Sequence, residues 1–405
     1  MRFEKDWGRL GLKLSDWKKV KLSELGTIVG GGTPSTKKEE YYGGNIPWIT
    51  PKDLANFGER YIEHGNRNIT LAGLENSSAK ILPAGSILFS SRAPIGYIAI
   101  TANNVTTNQG FKSIIPNSDV DSLFLYYLLK FNKDKIENMG SGTTFKEVSA
   151  NVMKSIEVFI PTEIAEQRKI SAILGAIDDK IENNKKINHH LEQIGQELFE
   201  EIYYDGSSAQ LGDIISTLES GSRPKGGAET DGIPSIGAEN IERFGQYDYT
   251  KEKFISLEYF QKLKRGIVHS GDVLLYKDGA YTGKVSMALD DFPHAQCAIN
   301  EHIFILRPNE LAPSSFFLYF LLLHDKNKQA LFSRASSKAA QPGLNQTEVK
   351  TLPILLPKTE MITKFESTIA PVMHQIAKNA NENRKLITLQ KALLPKLLSG
   401  ETSVN

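Results

Sequence analysis

The chain has 405 residues, of which 40% are hydrophobic and 23% are charged, a composition that suits two or three globular domains. No apolar run approaches the roughly 20 residues that a membrane span requires, and the first residues lack the layout of a signal peptide. We therefore expect a cytoplasmic protein that does not interact with membranes. The net charge of +1 argues against a protein that holds nucleic acid through a general basic excess. Any such binding would need local loops or a partner's phosphate contacts.

An internal repeat is the most informative feature of the sequence, because it sets the domain organisation before any motif is interpreted. Five short segments recur in the same order in the two halves of the chain. These are residues 20–25 with 209–214, 45–49 with 232–236, 83–89 with 269–275, 108–109 with 300–301, and 122–129 with 315–322. Chance similarity between apolar segments does not explain five collinear matches, so we predict a tandem duplication.

The first copy, residues 1–162, has the pattern of a mixed α/β domain. Short apolar runs bounded by glycine and proline predict strands at 86–90 and 95–100. An apolar run at 122–131 predicts a helix that begins at a serine, a favoured N-cap residue. A strand that ends in proline, at 155–161, closes the copy.

A long helix is predicted after this strand, at 163–204. Apolar residues recur every three or four positions from Ile170 to Leu198, which is typical of a coiled-coil seam. Two asparagines, Asn184 and Asn188, lie on the same seam near its centre.

The second copy, residues 205–357, repeats the pattern, with strands at 273–276 and 302–306, a helix at 315–324 and a closing strand at 351–357. A second long helix follows at 358–400, before a tail at 401–405, and its seam carries Asn379 and Asn383. In an antiparallel pair these asparagines would meet those of the first helix, and buried amide pairs fix the register because a slip leaves an amide unpaired. We therefore expect an α/β (α+β) tandem repeat, with two globular domains separated by a long antiparallel two-helix coiled coil and related by pseudo-two-fold symmetry.

No catalytic or metal-binding constellation is recognisable in the sequence. Segment 279–285 is similar to a nucleotide-binding loop, but it has three residues between its glycines where that loop needs four, and Val285 where it needs serine or threonine. We expect a turn between two strands there. Cys297 is the only cysteine, which excludes an intrachain disulfide, and we expect it to be a buried thiol.

Together with the repeat, several local motifs make the chain resemble the specificity subunit of type I restriction-modification systems. The resemblance extends from about Trp17 to Gly400. Its most specific pieces are Gly-Gly-Thr-Pro-Ser at 31–35, Asn-Ile-Pro-Trp-Ile at 45–49, Ser-Arg-Ala-Pro-Ile-Gly at 91–96, and Ile-Pro at 160–161 followed by Glu-Gln-Arg-Lys-Ile at 166–170.

The resemblance implies that each repeat is a target recognition domain that reads one half of a split double-stranded DNA sequence. It also implies that the paired helices set the unread gap and dock two adenine methyltransferase subunits, and that a restriction and translocase subunit joins the complex. S-adenosylmethionine, ATP and magnesium would belong to those partners, so we expect this chain to be non-catalytic and to bind no cofactor. Arg92 aligns with Asp278, and Gln109 aligns with Glu301. We therefore expect an asymmetric target.

Side chains that read DNA are mainly Arg and Lys for guanine and Asn and Gln for adenine, carried by loops at a groove. We predict DNA contacts from loops at the same three places in each copy, although a solvated loop position is the alternative for any one residue. In the first copy these are Thr33, Ser35, Lys37, Lys38, Arg92, Ser141, Thr143 and Lys146. In the second copy they are Ser222, Arg223, Lys225, Lys277, Lys284, Lys338, Gln341 and Asn345.

Two alternative functions remain open from the sequence. One is a structural or adaptor protein whose two domains bracket protein partners without reading DNA. The other is a DNA enzyme with dispersed carboxylates. Loss of binding when the gap length changes would support DNA reading over the first, and cleavage or methylation by the isolated chain would establish the second.

Overall fold

The computed structural model describes residues 17–55, 57–141, 146–336 and 343–401. The chain forms two compact units. Unit 1 consists of Met1–Asp179 with Ile387–Asn405, and unit 2 consists of Lys180–Leu386.

The described residues of unit 1 form three sheets. Its strands are β1 (Trp17–Lys21), β2 (Gly26–Gly30), β3 (Tyr42–Ile49), β4 (Tyr61–Ile62), β5 (Arg67–Ile69), β6 (Ile87–Phe89), β7 (Ile98–Thr101), β8 (Thr106–Thr107), β9 (Lys112–Pro116) and β10 (Glu157–Pro161). The largest sheet has the order β2-β9-β6-β7-β4, a second has the order β5-β3-β8, and β1 pairs with β10.

The short helices of unit 1 connect these strands. They are α1 (Leu22–Leu25), α2 (Pro51–Leu54), α3 (Leu71–Glu75), α4 (Ser122–Phe131), α5 (Lys133–Asn138) and α6 (Ala150–Ser155), with a 3-10 turn at Glu39–Tyr41. Helix α4 is buried along six consecutive residues, from Phe124 to Leu129, so it forms the centre of the unit's core. Full burial of one aliphatic or aromatic side chain stabilises a fold by about 1.5–3 kcal/mol. Helix α7 (Ile164–Tyr203) begins in unit 1 and ends in unit 2.

Unit 2 has the same kinds of sheet. Its strands are β11 (Ser207–Gln210), β12 (Ile215–Ser220), β13 (Ile233–Ile236), β14 (Ile241–Arg243), β15 (Gln246–Tyr247), β16 (Phe254–Ile255), β17 (Val273–Tyr276), β18 (Val285–Met287), β19 (Ala298–Ile299), β20 (Ile303–Pro308) and β21 (Pro353–Leu356). They form sheets β12-β20-β17-β18, β16-β13-β19, β11-β21 and β14-β15.

The helices of unit 2 complete the second copy. They are α8 (Leu257–Lys262), α9 (Ser315–Leu323), α10 (Asp325–Ser336) and α11 (Gln346–Lys350), followed by α12 (Thr359–Leu398), whose last residues belong to unit 1. Single 3-10 turns occur at Leu211–Ile214, Tyr249–Lys251 and Gly279–Tyr281. The last of these lies between β17 and β18, so segment 279–285 is the predicted strand connection.

The tandem duplication predicted from the sequence is confirmed by the strand order. Strands β2, β9, β6 and β7 correspond to β12, β20, β17 and β18, and the three-stranded sheets correspond with their one parallel pair in the same place. In each copy the first strand pairs antiparallel with the last, as β1 with β10 and β11 with β21. The N-caps of the central helices differ from the expected serines. Asp121 caps α4 and Ser314 caps α9, because in each case the residue before the predicted serine accepts the hydrogen bond from the third residue of the helix.

Helices α7 and α12 run antiparallel in unit 2, as expected, and meet through buried asparagines. Asn184 Nδ2 donates to Asn383 Oδ1 at 2.9 Å, and Asn379 Nδ2 donates to Asn188 Oδ1 at 2.8 Å. Asn188 Nδ2 also donates to the carbonyl oxygen of Ile376 at 3.1 Å. The amides are satisfied in this one register, because a shift along the helix would separate both pairs.

The part of the helix pair that belongs to unit 1 is also held by polar contacts. Gln390 Nε2 donates to Asp178 Oδ1 at 2.7 Å, and Tyr127 Oη donates to Asp178 Oδ2 at 2.6 Å. Burial, together with this hydrogen bond and the nearby carboxylate charge, raises the pKa of Tyr127, so the phenol keeps its proton as a donor. Arg60 forms an ion pair with Asp179.

Unit 2 places an equivalent group of polar side chains on α7. Glu192 accepts hydrogen bonds from Tyr319 Oη and from Arg243 Nη1, the latter at 3.0 Å. Each unit therefore places an arginine and a tyrosine on acidic residues of α7. This links the recognition domain to the helix through groups that are costly to leave unpaired when buried.

We expect Asn184→Ala to lower the free energy of unfolding by about 1–3 kcal/mol, because the buried Oδ1 of Asn383 would lose its amide donor. Asn183→Ala is the matched control, since Asn183 is the exposed neighbour on the same helix and alanine is a stronger helix former. Chemical denaturation of both variants measures the difference. Equal stability of the two variants would contradict a role for the amide pair.

Candidate nucleic-acid interface

Thirteen of the sixteen residues predicted to contact DNA are described, and they lie on three loop segments in each unit. In unit 1, loop A1 is residues 31–38 after β2, loop B1 is residues 90–96 after β6, and loop C1 is residues 140–141 and 146–149 before α6. In unit 2, loop A2 is residues 221–227 after β12, loop B2 is residues 277–284 between β17 and β18, and loop C2 is residues 343–345 before α11. Residues 142–145 and 337–342 lie outside the described chain. The predicted contacts Thr143, Lys338 and Gln341 are therefore not placed.

Backbone hydrogen bonds join the three loops of unit 1 into one surface. Gly32 N donates to the carbonyl oxygen of Thr107 at 2.9 Å, which joins loop A1 to the segment before β9. Ser91 N donates to the carbonyl oxygen of Gly110 at 2.7 Å, and Val148 N donates to that of Ser91 at 2.9 Å. Loops A1, B1 and C1 and residues 107–110 are thus contiguous.

The three loops of unit 2 are joined in the same way. Lys277 N donates to the carbonyl oxygen of His302 at 3.0 Å, and Leu344 N donates to that of Lys277 at 2.7 Å. Loop A2 approaches the same segment so closely that a Cβ at Gly221 would lie 1.9 Å from the carbonyl oxygen of Ile299. The equivalent Cβ at Gly31 would lie 2.0 Å from the carbonyl oxygen of Asn108. Glycine is therefore required at both loop entries, since any side chain would clash with backbone.

An ion-paired cluster occupies the centre of the unit 1 surface. Arg92 Nε donates to Glu147 Oε2 at 3.0 Å, and Lys112 Nζ donates to Glu147 Oε1 at 3.3 Å. Burial alone would raise the pKa of Glu147, but the hydrogen bonds from Lys112 and Arg92 outweigh it and lower that pKa. Glu147 is therefore ionised at neutral pH, and the cluster carries one net positive charge.

The centre of the unit 2 surface has an acid where unit 1 has Arg92. Asp278 stands at the place of Arg92, and its Oδ2 lies 3.0 Å from His302 Nδ1 and 3.5 Å from Lys277 Nζ. Lys277 Nζ also lies 5.2 Å from the ring centroid of Phe304. Phe304 is the residue of unit 2 that corresponds to Lys112 of unit 1. A lysine cation is thus present in both units. It comes from β9 in unit 1 and from loop B2 in unit 2, while the arginine is replaced by an acid.

The first loops also make equivalent contacts with different chemistry. Thr33 Oγ1 donates to Gln109 Oε1. At the matching place in unit 2, Arg223 Nε lies 3.5 Å from Glu301 Oε1. Ser222 Oγ is 2.9 Å from Tyr259 Oη.

The remaining predicted residues of unit 1 lie at or near the surface of loops A1 and C1. Ser35, Lys37, Lys38 and Ser141 are exposed, and Lys146 is partly buried. Lys38 Nζ donates to Tyr41 Oη at 3.1 Å, and this hydrogen bond raises the pKa of Lys38. Each of these cations is accessible to a polyanion.

Loops A2, B2 and C2 contain the remaining predicted residues of unit 2. Lys225 is exposed. Lys284 Nζ lies 4.5 Å from the ring centroid of Tyr281 and 3.4 Å from Glu242 Oε2. Asn345 is the N-cap of α11, where its Oδ1 accepts from Glu348 N at 2.9 Å and its N donates to Glu348 Oε2 at 2.7 Å. Its side-chain oxygen therefore has a structural partner already.

Sequence reasoning missed the acidic and neutral members of these surfaces. Glu147 holds two of the cations, yet 55 residues separate it from Arg92, so no local pattern signals the contact. His302 and Lys112 were missed for the same reason. Gln109 and Glu301 were visible as an aligned pair in the repeat, and this alignment was the signal that could have placed them at the site.

The described residues offer few groups arranged for nucleophilic catalysis or metal binding. Cys297 is buried, and burial raises the pKa of its thiol to about 12, so the thiol stays protonated. No group of three or more His, Cys, Asp or Glu side chains in residues 17–55, 57–141, 146–336 and 343–401 is arranged to hold a metal ion. In the same part of the chain, no helix is both long enough and apolar enough to cross a membrane.

Comparison with known proteins identifies similar chains over the whole length. A family model described as the type I restriction modification DNA specificity domain matches residues 14–193 and again residues 208–391. The type I restriction enzyme MjaIX specificity subunit of Methanocaldococcus jannaschii is 33% identical over 413 residues, which cover 96% of this chain and 94% of that protein. The EcoR124I/EcoR124II specificity subunit of Escherichia coli is 32% identical over 172 residues, 40% of this chain and 41% of its own.

One solved structure shares the fold over nearly the full length. The S subunit of the type I restriction-modification system from M. genitalium superposes with a TM-score of 0.59 at 14% identity, covering 95% of this chain and 96% of that chain. The α/β tandem repeat with two long helices is therefore a known architecture.

We expect Asn345→Ala to lower the free energy of unfolding by about 1 kcal/mol, because the first turn of α11 would lose its side-chain acceptor. Asn345→Asp keeps an acceptor at the same place, so its stability should equal that of the unmodified protein. Chemical denaturation measures both. If Asn345 also reads an adenine, Asn345→Asp will lose DNA affinity while keeping stability, and unchanged affinity would limit this residue to capping.

Proposed function

The chain belongs to the family of type I restriction-modification specificity subunits, which recognise DNA targets, and from this we propose that each repeat reads one half of an asymmetric, two-part sequence. The observation that carries the proposal is the presence of two equivalent loop surfaces. In each unit, equivalent backbone hydrogen bonds join the second and third loops, and the first loop approaches the same segment closely at an equivalent glycine. Their side chains differ, as a scaffold duplicated for two different half-targets requires.

The difference between the surfaces supports asymmetry of the target. Arg92 is a donor, whereas Asp278 at the matching place is an acceptor, and Gln109 is matched by Glu301. Donors and acceptors select different base edges in the major groove, with arginine favouring guanine and acids favouring cytosine. Identical half-targets are therefore not expected.

We further propose that helices α7 and α12 set the unread gap and dock two adenine methyltransferase subunits, to which restriction and translocase subunits are added. The exposed face of α7 supports docking. Ile187 and Ile194, one heptad apart, are 46% and 45% exposed. Exposed apolar side chains one heptad apart, outside the buried seam of the helix, suit a protein partner.

We propose that the chain itself is non-catalytic and that S-adenosylmethionine, ATP and magnesium are bound by the partner subunits. The protonated thiol of Cys297 and the turn at Gly279–Tyr281 support this division, since neither could serve as a nucleophile or a phosphate loop. We propose a cytoplasmic location, because the DNA that the complex would recognise lies there.

A binding assay with the methyltransferase partners tests the proposed function directly. Duplexes that carry the mapped target with the gap changed by one or two base pairs should lose binding. Binding that is indifferent to sequence and gap would instead favour an adaptor, and cleavage or methylation by the isolated chain would establish an enzyme.

Exchange of residues 205–357 for the matching region of the M. jannaschii relative should change one half of the target and preserve the other. The reason is that all three loops of unit 2 lie within this region, and those of unit 1 lie outside it. Sequencing of methylated adenines in DNA exposed to the chimeric complex measures the outcome. The reciprocal exchange of residues 17–162 is the control and should change the other half. Simultaneous change of both halves in either chimera would contradict independent reading.

Removal of residues 181–187 and 380–386 should shorten the gap by about three base pairs, because seven helical residues span roughly 10 Å and base pairs are about 3.4 Å apart. These segments face each other in the antiparallel pair and contain Asn184 and Asn383, while Asn188 and Asn379 remain to hold register. Mapping of methylated adenines gives the new gap. Removal of five residues from each helix is the out-of-phase control, because it leaves the helix about 140° from a whole number of turns, and it should abolish binding to the mapped target. An unchanged gap in the seven-residue variant would end the ruler hypothesis.

A further inference from the structure

Arg92 is anchored at one edge of its guanidinium and half exposed at the other. Its Nε donates to Glu147 Oε2 at 3.0 Å, and its side chain is 49% exposed. Among the described residues, the terminal nitrogens Nη1 and Nη2 have no hydrogen-bond partner. These two nitrogens form the fork that arginine uses to bind two acceptors at once.

Glu147 is itself fixed, so it can hold Arg92 in one orientation. Its second carboxylate oxygen, Oε1, accepts from Lys112 Nζ at 3.3 Å. Its backbone pairs with Ser141 in both directions, at 2.9 and 3.0 Å. The next residue, Val148, donates to the carbonyl oxygen of Ser91, which precedes Arg92 in the chain. The carboxylate and the arginine are thus attached to the same backbone bridge.

An oriented guanidinium binds a base edge at a lower entropic cost than a free one, because its rotamer is set before DNA arrives. Guanine presents two acceptors, O6 and N7, at the spacing of the terminal nitrogens, and arginine bidentate to guanine is the commonest specific contact in the major groove. Arginine also binds phosphates through two parallel hydrogen bonds, so a base contact is distinguished from a phosphate contact by its dependence on the identity of the base.

We propose that Arg92 reads a guanine in the half-target of the first repeat and that Glu147 is the positioning residue that orients it. This inference rests on the proposed function, because it assumes that loops A1, B1 and C1 face DNA. It goes beyond that function in naming the base, the residue and the group that directs it.

At the place of Arg92, the described residues of the second repeat contain no arginine fork. Asp278 occupies the place of Arg92 and accepts from His302 Nδ1, while the cation of Lys277 lies over Phe304. A guanine read by an arginine fork at this place is therefore restricted to the first half of the target.

The first experiment uses the unmodified protein in complex with its methyltransferase partners. After the target is mapped, each guanine in the half assigned to the first repeat is replaced in turn by 7-deazaguanine, which lacks the N7 acceptor. We expect one position at which affinity falls by about 10- to 100-fold, the range of one bidentate base contact. The effect on affinity of replacing guanines in the other half should be the same with and without Arg92.

The second experiment assigns that position to Arg92 and Glu147. In Arg92→Ala, the loss of affinity caused by 7-deazaguanine should disappear. In Arg92→Lys the charge remains but the fork is lost, so discrimination between guanine and 7-deazaguanine should fall with little change in overall affinity. Glu147→Gln keeps the shape of the side chain but weakens the anchor, and it should reduce discrimination by about 3- to 10-fold. Glu75→Gln, an exposed glutamate at the end of α3, is the matched control and should leave discrimination unchanged.

A double substitution separates positioning from a general structural role. If Glu147 acts through Arg92, Glu147→Gln will add no further loss in the Arg92→Ala background. An equal additional loss there would overturn the positioning role. A uniform loss of affinity across all duplexes in Arg92→Lys would indicate a phosphate contact and overturn guanine reading.

The outcomes distinguish this inference from the proposed function. If the first half-target contains no guanine, or if no guanine there responds to 7-deazaguanine while the complex still binds its target specifically, the inference is wrong and DNA recognition stands. If exchange of residues 205–357 and of residues 17–162 leaves the target unchanged, the proposed function itself fails.

Discussion

The register of the two long helices is the constraint on which the rest of unit 2 depends. Asn184 with Asn383, and Asn188 with Asn379, are satisfied in only one alignment. An apolar seam alone would tolerate a slip of a turn, because one leucine layer resembles the next, but a slipped amide would be buried without a partner. Once the alignment is set, Phe199 of α7 and Phe365 of α12 meet in the core of the unit. The recognition domain is therefore built around a helix pair whose alignment is determined by polar groups.

The duplicated scaffold keeps its backbone and changes its side chains. In unit 1, loop B1 follows β6 and forms a hydrogen bond with the segment before β9. In unit 2, loop B2 follows β17 and forms the equivalent bond with the segment before β20. The place of each loop is therefore set by the order of strands in the sheet and by close backbone approach. Compensation at the surface is possible because neighbouring segments of the sheet can exchange roles. Lys112, in β9, supplies the cation in one unit, and Lys277, in loop B2 directly after β17, supplies it in the other. A stable frame thus allows the contact chemistry to diverge.

The sequence predicts the parts of the fold that depend on local periodicity. The repeat, the strands around Ile87 and Val273, and both long helices follow from apolar spacing that one segment carries by itself. The contacts at the site do not follow, because Glu147 and Arg92 are brought together by the whole sheet. Asn345 shows a different limit. Its residue type suggested adenine reading, whereas Glu348 three positions later is the signature of a capping box, and the structure places both residues in one.

The near-zero net charge is consistent with a DNA-reading surface, because acidic residues at the loops hold the cations in fixed positions. At the loops, carboxylates hold cations in place: Glu147 holds Arg92 and Lys112, and Glu301 lies against Arg223. Each such acid cancels a charge in the composition while it reduces the conformational freedom of a potential base contact. A surface of free lysines would bind any DNA, with an affinity set by salt. A surface of anchored side chains gains less affinity from electrostatic attraction and more from oriented contacts with base edges. A specificity subunit requires this balance when its partners contribute phosphate contacts.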